Sequence, residues 1–106
     1  MEKKIIEKIE KLPIEKSEKD TLKSLVKGEI RAIKGVVRSA ERRDPFGIIE
    51  GTWGACALSN LITTTLVDIA MKKGVHKEVK DINDELASFI KEKKLEAIEK
   101  LGEILG

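Results

Sequence analysis

The sequence has few of the residues on which most enzymes and metalloproteins depend. Cysteine, histidine and tryptophan occur once each, as Cys56, His76 and Trp53, and tyrosine and glutamine are absent. A single cysteine excludes an intrachain disulfide and any metal site built from several thiolates, and it is typical of a reducing compartment. The chain also lacks a Glu-x-x-His pair, a glycine-rich phosphate loop and a Gly-x-Ser-x-Gly elbow. We therefore expect no metal and no cofactor, we assign no catalytic residue, and we favour a non-enzymatic function.

Charge of both signs is abundant but nearly balanced. Charged residues make up 38% of the chain and the formal net charge is only +2, so the whole molecule is not a binder of polyanions. The scarcity of asparagine and glutamine beside abundant lysine and glutamate is typical of proteins from hot environments. The first twelve residues, MEKKIIEKIEKL, resemble neither a signal nor a transit peptide, which predicts a cytoplasmic location.

Apolar residues recur at the helical period along nearly the whole chain, and no segment alternates with the period of a strand. We predict an all-α protein, a compact four- to five-helix bundle that forms a single domain over residues 1–106. Pro13 limits the first helix to a short segment. The second helix is predicted to begin near Ser17, with Asp20 in the position of a capping-box partner, and to end near Arg43.

The start of the third helix and the C-terminal part of the fourth are less sharply marked in the sequence. The third helix is predicted over about 52–73 with Thr52 as its N-cap, although Asp44 followed by Pro45 is an equally suitable start. Gly74 marks its end. A fourth helix begins near Val75, and its apolar stripe changes phase at residues 91–94, which leaves open a bend or a separate short helix over residues 95–105.

The third predicted helix differs from the rest of the chain in its lack of charge. The segment 51-GTWGACALSNLITTTLVDIAM-71 carries one charged residue, Asp68. Its length would suit a membrane span, but its serine, asparagine, threonines and aspartate argue against one. Because a helix without a charged face is buried on most sides, we expect this helix to lie at the centre of the bundle.

A helical wheel divides this uncharged helix into two sides. One side is apolar and comprises Ala55, Leu58, Leu61, Ile62, Leu66 and Ile69. The other side comprises Trp53, Ala57, Asn60, Thr64, Val67, Asp68 and Met71. Asn60, Thr64 and Asp68 follow one another at intervals of four residues, so they form a line below Trp53. These four are candidates for a subunit interface or a small-ligand pocket, and the alternative is a set of hydrogen-bonded core residues.

The second helix carries two further stripes. Its small residues, Gly28, Ala32, Gly35 and Ser39, share one line, and a glycine inside a helix costs about 1 kcal/mol relative to alanine. Close packing against the third helix would offset that cost, whereas exposed glycines would simply be tolerated. Its basic residues are Lys27, Arg31, Lys34, Arg38 and Arg42. They are candidates for binding a nucleic-acid backbone, although the few scattered aromatic residues favour an ordinary solvated face.

Three functional hypotheses follow from these patterns. The first is an oligomeric assembly or adaptor module that acts through protein–protein contacts, most simply as a homodimer and outside any membrane. The second is nucleic-acid binding through the basic stripe. The third is a small-ligand or enzymatic pocket at the Trp53–Asp68 face.

Overall fold

The computed structural model describes the backbone of residues 2–105 and the side chains of residues 2–103. Four helices occupy this range: α1 (Glu2–Glu10), α2 (Lys16–Glu41), α3 (Pro45–Lys73) and α4 (His76–Leu105). No strand occurs in the described range, so the all-α bundle is confirmed. The molecule measures 49 × 21 × 19 Å. Helices α2, α3 and α4 contain 26, 29 and 30 residues and so extend roughly 40 Å each. Each of them therefore runs along most of the long axis.

Helix α3 begins at the earlier of its two predicted starts. Asp44 is the N-cap, its side chain accepts a hydrogen bond from Gly47 N at 3.1 Å, and Pro45 is the first helical residue. Thr52 lies inside the helix and donates its hydroxyl to the Ile48 carbonyl at 2.7 Å, so its prediction as N-cap was wrong. The helix ends at Lys73 and is capped by Gly74, where φ is 66°, as the sequence predicts.

The N-cap of α2 lies two residues before the predicted cap, Ser17. Glu15 is the N-cap, and its N–H donates to the Glu18 carboxylate at 3.3 Å. Ser17 therefore lies in the first turn, and the capping prediction for it was wrong. Glutamate is the usual reciprocal partner three residues into a helix, which explains why Glu18 rather than Asp20 serves in this role. The helix ends at Glu41, and Arg43 adopts a positive φ of 56°.

Helix α4 continues without interruption to Leu105. The segment Lys91–Lys94 consists of lysines and glutamate, which are good helix formers, so the change of apolar phase does not break the backbone. It instead changes which residues are covered. Ala97 is buried, whereas Leu95 and Ile98 are 53% and 60% exposed.

The core lies between α2 and its three neighbours. Helix α1 docks on α2 and α4 through Ile5 and Ile9, which are fully buried, and Lys4 pairs with Glu85 of α4 at 3.0 Å. Helix α3 contacts α2 and α4 but not α1 within the described residues. The expectation that the uncharged helix is central is therefore not confirmed, because one side of α3 faces solvent.

Helices α2 and α3 approach each other closely at glycines. A Cβ added at Gly51 of α3 would lie 2.7 Å from Val36 Cγ2 and 3.5 Å from the Ala32 carbonyl oxygen. A Cβ at Gly28 of α2 would lie 3.3 Å from Leu58 Cδ1. A side chain at Gly51 would thus collide with α2, whereas one at Gly28 would need only a small shift of Leu58.

The small-residue line of α2 contributes to this contact at three of its four positions. Ser39 lies so close to Gly47 that a Cβ there would collide with its hydroxyl, and Gly28 and Ala32 face α3 as described above. A Cβ at Gly35 would meet no atom within 4 Å. The partners on α3, Gly47 and Gly51, were not assigned from the sequence.

Candidate functional site

A stripe of exposed residues runs along one side of α3. We call this stripe the outer face; its members are Ile49, Trp53, Cys56, Asn60, Thr64, Val67 and Met71. Trp53 and Met71 are 74% and 75% exposed, and Ile49 and Val67 are about half exposed. Scattered apolar residues are normal on a protein surface, but a contiguous apolar patch marks an interaction site.

The outer face has the same spacing in both directions from its middle residue, Asn60. Trp53 precedes Asn60 by seven residues and Val67 follows it by seven; Ile49 and Met71 stand eleven residues away on either side. Seven and eleven residues are close to two and three helical turns, so these side chains share one stripe. Large apolar residues therefore occupy both ends of the face, and smaller residues occupy its centre.

Among the side chains of residues 2–103, the polar residues predicted on this side make only local hydrogen bonds and ion pairs. The Thr64 hydroxyl donates to the Asn60 carbonyl oxygen at 2.9 Å, and Asp68 pairs with Lys72 of its own helix at 3.1 Å. Asn60, Thr64 and Asp68 are all exposed, as is Trp53. The groove that Asp68 lines includes Ser17 and Thr21 of α2 but none of the other three candidates.

Leu61 belongs to the exposed side of α3 rather than to the apolar side on which the wheel placed it. It is 54% exposed, whereas its neighbour Ile62 is 3% exposed. Consecutive helical residues point about 100° apart, so Leu61 lies next to the outer face.

By length and composition alone, α3 is the one helix in the described part of the chain that could cross a membrane. Only 28% of its apolar 18-residue window is buried in the protein. Most of this apolar segment is therefore not covered by the rest of the chain.

A second feature, a small cavity, lies between α2, α3 and the C-terminal half of α4. Its volume is about 130 Å³. Its walls include Ile33, Val36, Ala55, Ile90 and Ala97. Polar side chains also border it, among them Ser59 and Cys56 of α3 and Lys93 and Lys94 of α4.

Glu29, whose carboxylate is buried, is one of the residues that line this cavity. Glu29 is 1% exposed, and its Oε1 accepts a hydrogen bond from the Ser59 hydroxyl at 2.8 Å. Its Oε2 is buried without a hydrogen-bond partner among the described residues. Burial raises the pKa of Glu29 above its ordinary value, and the bond from Ser59 opposes that rise. An unpartnered buried carboxylate oxygen is costly, so this site requires a physical explanation.

Glu29 is not among the site residues predicted from the sequence, although the sequence pattern contains a signal for it. Glu29 stands three residues after Val26 and four before Ile33, and both are buried. A charged residue at that spacing falls within the apolar stripe of α2. Its partner Ser59 has no comparable signal, because serine is common on helices and the pairing depends on how α2 and α3 align.

The basic stripe of α2 is exposed at all five positions, Lys27, Arg31, Lys34, Arg38 and Arg42. None of the five forms an ion pair with a carboxylate of residues 2–103. Four of them line a groove of about 260 Å³ on the side of α2 where Glu2 of α1 also lies.

Comparisons with known proteins assign no family. No protein-family model, curated protein or solved structure matches this chain. A functional interpretation therefore depends on the geometry of the outer face, the cavity and the basic stripe.

Proposed function

We propose that this protein is a non-enzymatic assembly module that forms a homodimer through the outer face of α3. The observation that carries the proposal is the exposure of a stripe about six turns long with large apolar residues at both ends, of which the largest, Trp53, is 74% exposed. Burying such side chains is worth about 1.5–3 kcal/mol each. Tryptophan is also among the residues most enriched at the energetic centres of protein interfaces.

The spacing about Asn60 supports a second copy of this chain as the occupant. In a two-fold interface the same patch serves both subunits, so the patch must complement itself. If two α3 helices pack antiparallel about Asn60, Trp53 lies opposite Val67 of the second copy, and Ile49 lies opposite its Met71. The smaller residues Cys56 and Thr64 then lie opposite each other on both sides of the centre, where the helices approach most closely.

Asn60 would occupy the two-fold axis and face its own counterpart. A single asparagine within an apolar helix interface fixes the alignment and the number of helices at some cost in stability. The side-chain amide carries both donors and an acceptor, so two copies can form hydrogen bonds with each other. This role explains why a polar residue lies at the middle of an apolar stripe.

Sedimentation equilibrium at micromolar concentration tests the proposal. We expect a dimer, and we expect Trp53→Glu or Val67→Glu to weaken it by about a hundredfold or more, because each places a charge within the buried interface. Ala87→Glu introduces the same charge at an exposed alanine on α4 and serves as the matched control.

Two results would contradict the homodimer. The first is a wild-type monomer at micromolar concentration. The second is binding to lipid vesicles that Trp53→Glu abolishes, which would assign the outer face to a membrane surface.

A second candidate function, nucleic-acid binding, is favoured by the unpaired basic stripe of α2. Neutralising several phosphates makes affinity fall steeply with salt. Charge reversal at Arg31 and Arg38 would weaken duplex binding and reduce the salt slope. Failure of the wild-type protein to bind a duplex at low salt would exclude this candidate, whereas the dimer proposal would be unaffected.

A further inference from the structure

The cavity beside Glu29 combines apolar walls with one buried carboxylate oxygen that has no hydrogen-bond partner among the described residues. Ile33, Val36 and Ile90 contribute aliphatic side chains to its walls. Glu29 is 99% shielded from solvent, and its Oε2 has no hydrogen-bond partner among the described residues. The volume of about 130 Å³ is close to that of engineered apolar cavities that bind benzene.

The chemistry of Glu29 restricts what can occupy this cavity. An ionised carboxylate accepts hydrogen bonds and donates none, so the complementary group carries an N–H or O–H. A cationic donor also neutralises the buried charge, which a neutral donor does not. An anionic group would be repelled by the same oxygen.

The lysines at the cavity do not satisfy Glu29. The Lys93 ammonium lies 3.2 and 3.3 Å from the two carboxylate oxygens of Glu96, on its own helix, and 5.8 Å from the Phe89 ring centre. Neither Lys93 nor Lys94 forms an ion pair with Glu29 within the described residues. These two cations disfavour a ligand with a second positive charge.

We propose that the cavity between α2, α3 and α4 binds a small aliphatic monoamine, whose ammonium group donates to Glu29 Oε2. The alkyl group packs against Ile33, Val36 and Ile90. Ser59 holds the other carboxylate oxygen and so orients Glu29 toward the ligand. Burial without a neighbouring cation raises the pKa of Glu29 and favours its protonated form, so the bound ammonium group would oppose that rise and favour the ionised carboxylate.

Titration with isobutylamine hydrochloride at constant ionic strength, followed by amide chemical shifts, tests the site. The amine has about five non-hydrogen atoms, so we expect saturable shifts at Ala55, Ser59 and Ala97 with an affinity of about millimolar. Isobutanol has the same shape without the charge, and we expect it to bind about tenfold more weakly or worse.

Two variants and one control locate the binding. Glu29→Gln keeps the shape of the side chain but removes its charge, and we expect a ten- to hundredfold loss of affinity, about the contribution of a charged hydrogen bond. Ala97→Leu leaves Glu29 intact and fills the cavity from α4, so it should abolish binding. Glu41→Gln removes the same charge from an exposed position on α2 and should leave the affinity unchanged. Circular dichroism checks that each variant is folded.

The absence of saturable shifts at these amides would overturn the proposal. Equal affinities for isobutylamine and isobutanol would also overturn it, since the cavity would then be selective for shape alone. Unchanged affinity in folded Glu29→Gln would show that the amine binds elsewhere.

Discussion

Substitution of Gly51 by alanine is the most direct probe of how α2 and α3 pack. The new Cβ would lie 2.7 Å from Val36 Cγ2, closer than carbon atoms approach without repulsion. Alanine favours the helix by about 1 kcal/mol relative to glycine. Overpacking of a well-packed contact costs about 1–3 kcal/mol. Because 2.7 Å is a severe overlap, we take the upper part of that range and expect Gly51→Ala to destabilise the fold by about 1–2 kcal/mol.

Gly54→Ala is the matched control, because it lies three residues away on the same helix and its Cβ would meet no atom within 4 Å. It should therefore stabilise the protein by about 1 kcal/mol, and Gly35→Ala on α2 should do the same. The two α3 variants are expected to differ by about 2–3 kcal/mol. For a domain of this size, that difference separates their melting temperatures by on the order of 10 °C.

Thermal and urea unfolding, followed by far-UV circular dichroism, measure these differences. The substitutions are best compared in a Val67→Glu background at one protein concentration, since dimerisation would otherwise stabilise each variant by mass action. Equal stabilities for Gly51→Ala and Gly54→Ala would refute the close packing of α2 against α3.

Three further predictions concern a buried acid, a helix cap and the proposed axis residue. Because burial raises the pKa of Glu29 above 4.5, its favourable contribution is complete below pH 4.5 and is lost as pH rises through the folded-state pKa. Urea unfolding should therefore show Glu29→Gln becoming more stable relative to wild type over that rise, and a difference independent of pH would contradict the buried acid. Asp44→Ala removes the acceptor for Gly47 N and should cost about 1 kcal/mol in the same unfolding assay, whereas no loss would argue against this cap. Asn60→Leu should tighten self-association in sedimentation while broadening the range of oligomers, and an unchanged single dimer would remove asparagine's proposed role in alignment.

Helical periodicity predicted most of the architecture because it reports which side of each helix must be covered. The four helices, the glycine that ends α3 and the docking of α1 all follow from local pattern. The choice between Thr52 and Asp44 as the start of α3 could not be made locally, since both are good caps. Asp44 prevails because Pro45 fits the first helical turn and because Gly47 lets the chain pass close to Ser39 of α2.

The exposed position of α3 and the burial of Glu29 beside Ser59 could not be predicted from the sequence, for a different reason. Hydropathy shows that burial of a helix face is favourable, but it does not show whether the same chain or another molecule buries that face. The lack of charge on α3 therefore predicts a central position, whereas Trp53 and Met71 are exposed in the structure. Glu29 interrupts an apolar stripe, but only the alignment of α2 with α3 brings Ser59 within 2.8 Å of it.

The central claim is the antiparallel pairing of two α3 helices about Asn60, and disulfide cross-linking tests it most directly. In a Cys56→Ser background, Asn60→Cys places the only thiol on the proposed two-fold axis, facing its counterpart at a distance suited to a disulfide. In the wild type, the two Cys56 residues would lie offset by eight residues, about 12 Å along the axis, which is too far. We predict that mild oxidation gives a covalent dimer for Asn60→Cys and leaves the wild type unlinked. An unlinked Asn60→Cys, or a wild type that cross-links through Cys56, would contradict the arrangement.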